Sequence, residues 1–337
     1  MQPLSRRAFL SATGAVALSA PARAQATRWR ARIGVLQTTG AGPMYIAAVK
    51  GHFAREGIDA EIVAFDTAQP LAVSIAAGDL DFGATSFSSG FFNLASQDVV
   101  RIIAAQGRDQ AGFPNNGLVV TNTAWEKGLR DFRDIKGRSV GVPTLGSAPH
   151  YCVGLLAQKY GYKLADLDVQ FLKGTPNILA AISSDRLDSA IMPSTYALSL
   201  VRENRARLIG WIGDVTPWQL GAAYTSKEHA DARPDLVNGF LRGYRAGMRE
   251  YADAFISPEG KRVDGATAES TLALMSKSLD QPAALLRQGI TYVDREARLD
   301  GPDVRRQVAW HRAQGLIERD VDVDALLDQR YVKLLPV

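Results

Sequence analysis

The chain predicts an α/β fold of two lobes, each a mainly parallel sheet flanked by helices, with two strands crossing between them. Three observations carry this prediction. A pattern recurs at an offset of 107 residues, pairing Gly34 with Gly141, Val35 with Val142, Phe53 with Tyr160, Ile75 with Ile182, Leu80 with Leu187 and Asp81 with Asp188. Within each copy short apolar runs alternate with amphipathic stretches, as β-α-β-α-β units require. Two further apolar runs, 118–121 and 222–225, fall where the chain would pass from one copy to the other and back. Two facing lobes create a cleft, a favoured place to enclose a small ligand.

In the first copy, residues 32–36 read as a buried strand, followed by the glycine-rich turn Thr39-Gly40-Ala41-Gly42. Pro43 suits the first turn of a helix whose apolar stripe is Ile46, Val49 and Phe53, with Gly57 as its stop. Residues 61–65 form the next strand and 70–77 a short helix stopped by Gly78. Strand 80–84, helix 88–96 and strand 99–105 complete the unit. Alternation of this kind gives a mainly parallel sheet covered on both faces.

The second copy repeats the plan: strand 139–142, loop 144–150, helix 151–160 ended by Gly161, strand 169–172, helix 177–184, strand 188–192 and a further strand 207–212. The two apolar runs bound the lobes, so lobe one comprises 28–118 and 225–337 and lobe two 122–221. In the C-terminal third, Val237, Leu241, Tyr244, Met248, Tyr251 and Phe255 recur at spacings of three and four. They predict a long helix over 234–255 packed on lobe one.

Residues 1–24 read as a cleavable twin-arginine export signal. Arg6-Arg7 precedes a short apolar run, and Ala22-Arg23-Ala24 supplies the small-x-small site before Gln25. Removing that segment takes three arginines and no acid from 39 basic and 35 acidic residues, so the apparent basicity belongs largely to the signal. Without clustered Lys/Arg there is no nucleic-acid footprint. One cysteine, Cys152, forbids an intrachain disulfide. No later apolar run approaches the roughly 20 residues of a membrane span.

Catalytic constellations are hard to find. His52, His150, His229 and His311 are dispersed, and neither a nucleophile elbow nor a phosphate loop is present. Asp81 and Asp188, at strand starts, suit backbone amides better than acid–base work. The informative segments are the loops after strands, where open α/β sheets bind ligands: 37–43, 85–89, 144–150 and 192–196. They supply the candidates Gln37, Thr38, Thr39, Thr85, Ser86, Gly146, Ser147, His150 and Met192. Each loop opens a helix, and helix N-termini favour anionic or acceptor-rich groups. The same hydroxyls serve equally as N-caps. Tyr45, Phe113, Tyr196, Trp211 and Trp218 are aromatic candidates; Trp218 suits either ligand stacking or hinge packing. Arg108 suits either an anion or a structural ion pair.

Four segments carry a family resemblance. Residues 47–59 (AAVKGHFAREGID) pass from helix through glycine to strand, and 75–83 (IAAGDLDFG) enter the next strand. Residues 131–142 (DFRDIKGRSVGV) open the second copy, and Arg233-Pro234-Asp235-Leu236-Val237 opens the long helix. Over roughly residues 30–255 the chain resembles the substrate-binding proteins of ATP-driven importers, in the sulfonate, taurine, nitrate and thiamine-precursor (NMT1/THI5-like) group. The resemblance implies a type II periplasmic binding protein fold and closure of the lobes on a small organic anion that is sulfonate-, carboxylate- or nitrate-like. It also implies delivery to the permease and ATPase subunits of an ABC importer, no cofactor, no covalent chemistry, and a monomer located in the periplasm. Residues 37–39, 85–86 and 146–147 match its binding loops, whereas His150 stands where a small or polar residue is expected. A binder of a thiamine-pyrimidine precursor or aromatic acid, an enzyme of the same fold and a sensory binding protein remain alternatives.

Overall fold

The computed structural model describes residues 28–336; the export signal expected over 1–24 lies outside the described residues. Ten strands form two five-stranded sheets. The first contains β1 (Trp29–Leu36), β2 (Ile58–Phe65), β3 (Phe82–Ser86), β4 (Val100–Asp109) and β10 (Trp218–Ser226), in the order β2-β1-β3-β10-β4. The second contains β5 (Asn116–Val120), β6 (Ser139–Val142), β7 (Asp168–Phe171), β8 (Ser189–Pro193) and β9 (Arg207–Trp211), in the order β7-β6-β8-β5-β9.

The two orders are the same pattern. A first strand pairs in parallel with its second and third, and one antiparallel strand sits between the third and the fourth. In each lobe that inserted strand is the one the chain uses to change lobes. The runs 118–121 and 222–225 therefore do not lie between the lobes, as the sequence suggested. They are inner strands of lobe two and lobe one. The apolar side chains that marked them as crossings bury them on both faces.

The offset of 107 holds in three dimensions. Helix Ala68–Ala76 corresponds residue for residue to helix Thr175–Ser183, and β3 to β8. Gly34 and Gly141 recur for packing reasons. A Cβ on Gly34 would lie 2.8 Å from Leu71 and Leu80, and one on Gly141 2.5 Å from Leu187. Asp81 accepts the Arg32 N–H at 2.8 Å, and its counterpart Asp188 accepts the Ser139 N–H at 3.0 Å. Both aspartates tie a first strand to a third, the backbone role expected for them.

The helix predicted from Pro43 is broken. Gly42–Val49 and His52–Arg55 are separate helices because Gly51 adopts φ +71, and Val49 is turned out to solvent at 63% exposure instead of joining the stripe. The long helix Pro234–Phe255 is as expected, with its stripe from Leu236 to Phe255 buried against lobe one and Phe240 stacked 3.9 Å from Phe82. Helix Gly301–Ala313 behaves differently from a lobe-one element. Val304 lies in a lobe-one core, while Trp310 packs against the lobe-two core.

Candidate ligand-binding cleft

A cleft opens between the two sheets at the carboxyl ends of their parallel strands and encloses about 1220 Å³, counting its solvent-open mouth. Lobe one contributes Gln37 and Thr38 after β1, Asp66–Gln69 after β2, Ser86 at the end of β3 and Ser88 after it, and Gln106 on β4. Lobe two contributes Thr144 and Ser147 after β6, Thr175 after β7, Met192 near the end of β8 and Tyr196 after it, with Asn115 and Asn116 at the passage from β4 to β5.

Helix starts dominate this wall. Those at Ser88 and Ser147 are capped by their own hydroxyls, which accept the N–H groups of Phe91 at 3.2 Å and His150 at 3.4 Å. The starts at Ala68 and Thr175 receive no side-chain cap, and one lies in each lobe. Ala68, Gln69 and Thr175 of these first turns line the cleft, so the partial positive charge of each helix start favours an acceptor-rich group there. Among the described residues no lysine, arginine or histidine lines the cleft, and the one carboxylate there is Asp66. Burial, and then the charge of Asp66, raise the pKa of Tyr196 above the usual phenol value. Asp66 of one lobe thus faces Tyr196 of the other.

Of the sequence candidates, Gln37, Thr38, Ser86, Ser147, Met192 and Tyr196 line this cleft. The remaining candidates serve elsewhere. Trp218 is fully buried and packs edge-on against Tyr151 at 5.6 Å, so hinge packing, not stacking on a ligand, accounts for it. Arg108 donates to Asp300 at 2.8 Å, an ion pair within lobe one. Tyr45 packs against the lobe-one core and Phe113 lies inside it, while Trp211 packs in lobe two. Thr85 is buried in β3 opposite Ala222. Thr39 points away from the cleft to share a 2.8 Å hydrogen bond with Thr291. Gly146 and His150 lie just behind the wall. The Gly146 N–H donates to His150 Nδ1 at 3.1 Å, and its carbonyl accepts the Ser89 N–H of lobe one at 2.8 Å. His150 packs edge-on between Phe171 and Trp310.

Sequence reasoning missed the loop 66–69, Thr175, Gln106, Asn115 and Asn116. The repeat could have supplied two of these segments, since Ala68 and Thr175 stand at the common offset of 107. No comparable signal marks the three amides.

Residues 38–259 match the family described as NMT1/THI5 like, and the chain belongs to that family. A binding protein of Brucella abortus is 28% identical over 189 residues, 56% of this chain and 54% of that protein. The chain thus spans about half the length of the curated relatives it matches. Among solved structures it is similar to the alkanesulfonate-binding protein of Xanthomonas axonopodis pv. citri, with TM-score 0.69, 16% identity, and coverage of 88% of this chain and 97% of that one. It is also similar to the nitrate-binding protein of Synechocystis PCC 6803, with TM-score 0.68, 14% identity, and coverage of 92% and 86%. These similarities establish the fold of a two-lobed periplasmic binding protein. Among the described residues no helix is long and apolar enough to cross a membrane.

Proposed function

We propose that this chain is an extracytoplasmic solute-binding protein that encloses a small organic molecule between its lobes and hands it to an ABC-type permease. One observation carries the reading: a single cleft is walled by corresponding loops of both copies, with an uncapped helix start from each. A ligand touching both walls stabilises the closed arrangement in proportion to its preference for it, and binding becomes closure. The acceptor-rich end of the ligand, sulfonate- or carboxylate-like, belongs against the starts at Ala68 and Thr175. The names of the sulfonate- and nitrate-binding neighbours support this polarity. Catalysis is disfavoured because, among the described residues, neither a histidine nor Cys152 lines the cleft, Cys152 being buried in lobe two. We further read the protein as periplasmic, exported through the twin-arginine route by residues 1–24.

Native mass spectrometry of protein isolated from its periplasm should reveal a small-molecule adduct that is lost on mild denaturation. Titrating the recovered compound into Ser86→Ala and Ser147→Ala should show affinity lower by roughly five- to 150-fold, the usual worth of one buried hydrogen bond. The exposed Lys277→Ala should bind normally. Two folded cleft variants that bind like Lys277→Ala would place the site elsewhere.

A further inference from the structure

Two side chains of the cleft wall carry hydrogen-bonding atoms with no partner among the described residues. Gln106, on β4, is 2% exposed. Its Nε2 donates to the Ala84 carbonyl at 3.4 Å, which leaves Oε1 as an unmatched acceptor. Asn115, just before β5, is 6% exposed. Its Oδ1 accepts from the Thr291 hydroxyl at 3.3 Å, and Thr291 in turn shares its oxygen with Thr39, so Nδ2 is an unmatched donor. The chain Thr39–Thr291–Asn115 fixes which way the Asn115 amide faces. Buried polar groups are ordinarily paired, and an orphan on a cleft wall calls for a partner in the cleft.

Resting on the solute-binding reading above, we propose that the ligand carries, besides its acceptor-rich group, a neutral amide-type edge, one N–H donor and one carbonyl acceptor, read by Gln106 and Asn115. The acceptor Oε1 of Gln106 takes the ligand's N–H, and the donor Nδ2 of Asn115 meets its carbonyl. A second anionic group in place of this edge is rejected. It would oppose Gln106 Oε1, and among the described residues no lysine, arginine or histidine lines the wall to balance it. The protein therefore selects bifunctional ligands, with both an acidic group and an amide-type edge, over a plain alkanesulfonate or nitrate. Thr39 is a positioning residue in this scheme, acting through Thr291 on Asn115.

Isothermal titration calorimetry with three single-ring probes tests the proposal: 4-carbamoylbenzoate, terephthalate and 4-methylbenzoate. They share a ring and one carboxylate and differ only at the second end. The amide probe should bind at least about ten-fold more tightly than terephthalate, because the latter leaves the orphaned pair mismatched. Asn115→Asp keeps the oxygen that Thr291 needs and removes the free donor. It should cut affinity for 4-carbamoylbenzoate about ten-fold and leave 4-methylbenzoate within about two-fold. Gln106→Met, which keeps length and removes the acceptor, should do the same and provides a second variant if the first is unfolded by circular dichroism. Equal affinity for amide and dicarboxylate, an unchanged preference in both folded variants, or no binding of any probe overturns the amide-edge assignment. The solute-binding reading fails on a separate result, the absence of any adduct in protein from the periplasm. An adduct together with an indifferent probe series overturns only the present inference.

Discussion

Individual residues divide between the cleft and the frame behind it, and two frame residues link folding to pH in opposite senses. Asp109, at the end of β4, is fully buried and accepts from both the backbone and the side-chain amide of Asn116 at 3.3 Å. Burial pushes its carboxyl up to about 7; the Asn116 hydrogen bonds oppose this and the nearby Asp214 adds to it. A carboxyl raised in the fold contributes stability that is fully present below its unfolded value near 3.8 and is lost as pH rises through about 7. Burial, aided by the charge of His311, lowers His150 to about 4 from 6.5. Its stability contribution is complete above 6.5 and is lost as pH falls toward 4. Nδ1 accepting from Gly146 fits the neutral ring. Melting curves across pH 4 to 8 separate the two: Asp109→Asn should remove a decline on the rising side, and His150→Gln a decline on the falling side. Parallel curves for wild type and both variants would rule out this linkage.

Among the elements, the repeat is a packing rule as well as a sequence pattern. In each lobe the first strand has glycine because leucines of the unit crowd that position: Leu71 and Leu80 at Gly34, Leu187 at Gly141. Overfilling a close-packed core costs roughly 1–3 kcal/mol, so Gly34→Ala and Gly141→Ala should each lower the melting temperature. Gly141→Ala should be the worse, because its Cβ would approach a leucine methyl most closely. Pairing Gly141→Ala with Leu187→Ala should recover part of the loss if the clash is its cause, and no recovery would refute the packing explanation. The same offset sets helix Thr175–Ser183 opposite helix Ala68–Ala76, which gives the cleft one uncapped helix start from each side.

At the scale of the molecule, the passages at β5 and β10 and helix Gly301–Ala313 join the lobes. The helix ties both sides through its ends. Trp310 packs on the lobe-two core, and His311 Nε2 stands 3.1 Å from the Gly146 carbonyl. Gly146 is one contact point of the lobes; Ser194, which donates to the Gly289 carbonyl at 3.4 Å, is another. Gly146 adopts φ +68, and any Cβ there would strike Ser89 of lobe one. Gly161 shares the positive φ, at +75, but has open space around it. Both Gly146→Ala and Gly161→Ala should lose stability, on the order of 1–2 kcal/mol, from left-handed backbone alone. Only Gly146→Ala should hold the lobes apart, seen as a larger radius of gyration in small-angle scattering. Equal radii for the two variants would show that this contact does not govern closure.

Much of this architecture is written locally. The 107-residue offset, the apolar alternation and the stripe of helix Pro234–Phe255 fix two α/β copies and their long packing helix, because strand and helix periodicities are set by neighbouring residues. The loops at Gln37-Thr38, Ser86, Ser147 and Met192 were legible for the same reason: each follows a recognisable strand and begins a helix. Tertiary structure alone decided which strand each sheet inserts between its third and fourth, since antiparallel insertion depends on partners more than a hundred residues away in β10. That insertion buries Trp218 instead of leaving it to a ligand. Gln106 reaches the wall from β4 beside β10, and Asn115 from the passage into β5. Neither position has a periodicity or a motif to announce it. The orphaned amide atoms exist only because other segments, at Ala84 and Thr291, satisfied one end of each side chain and left the other without a partner among the described residues.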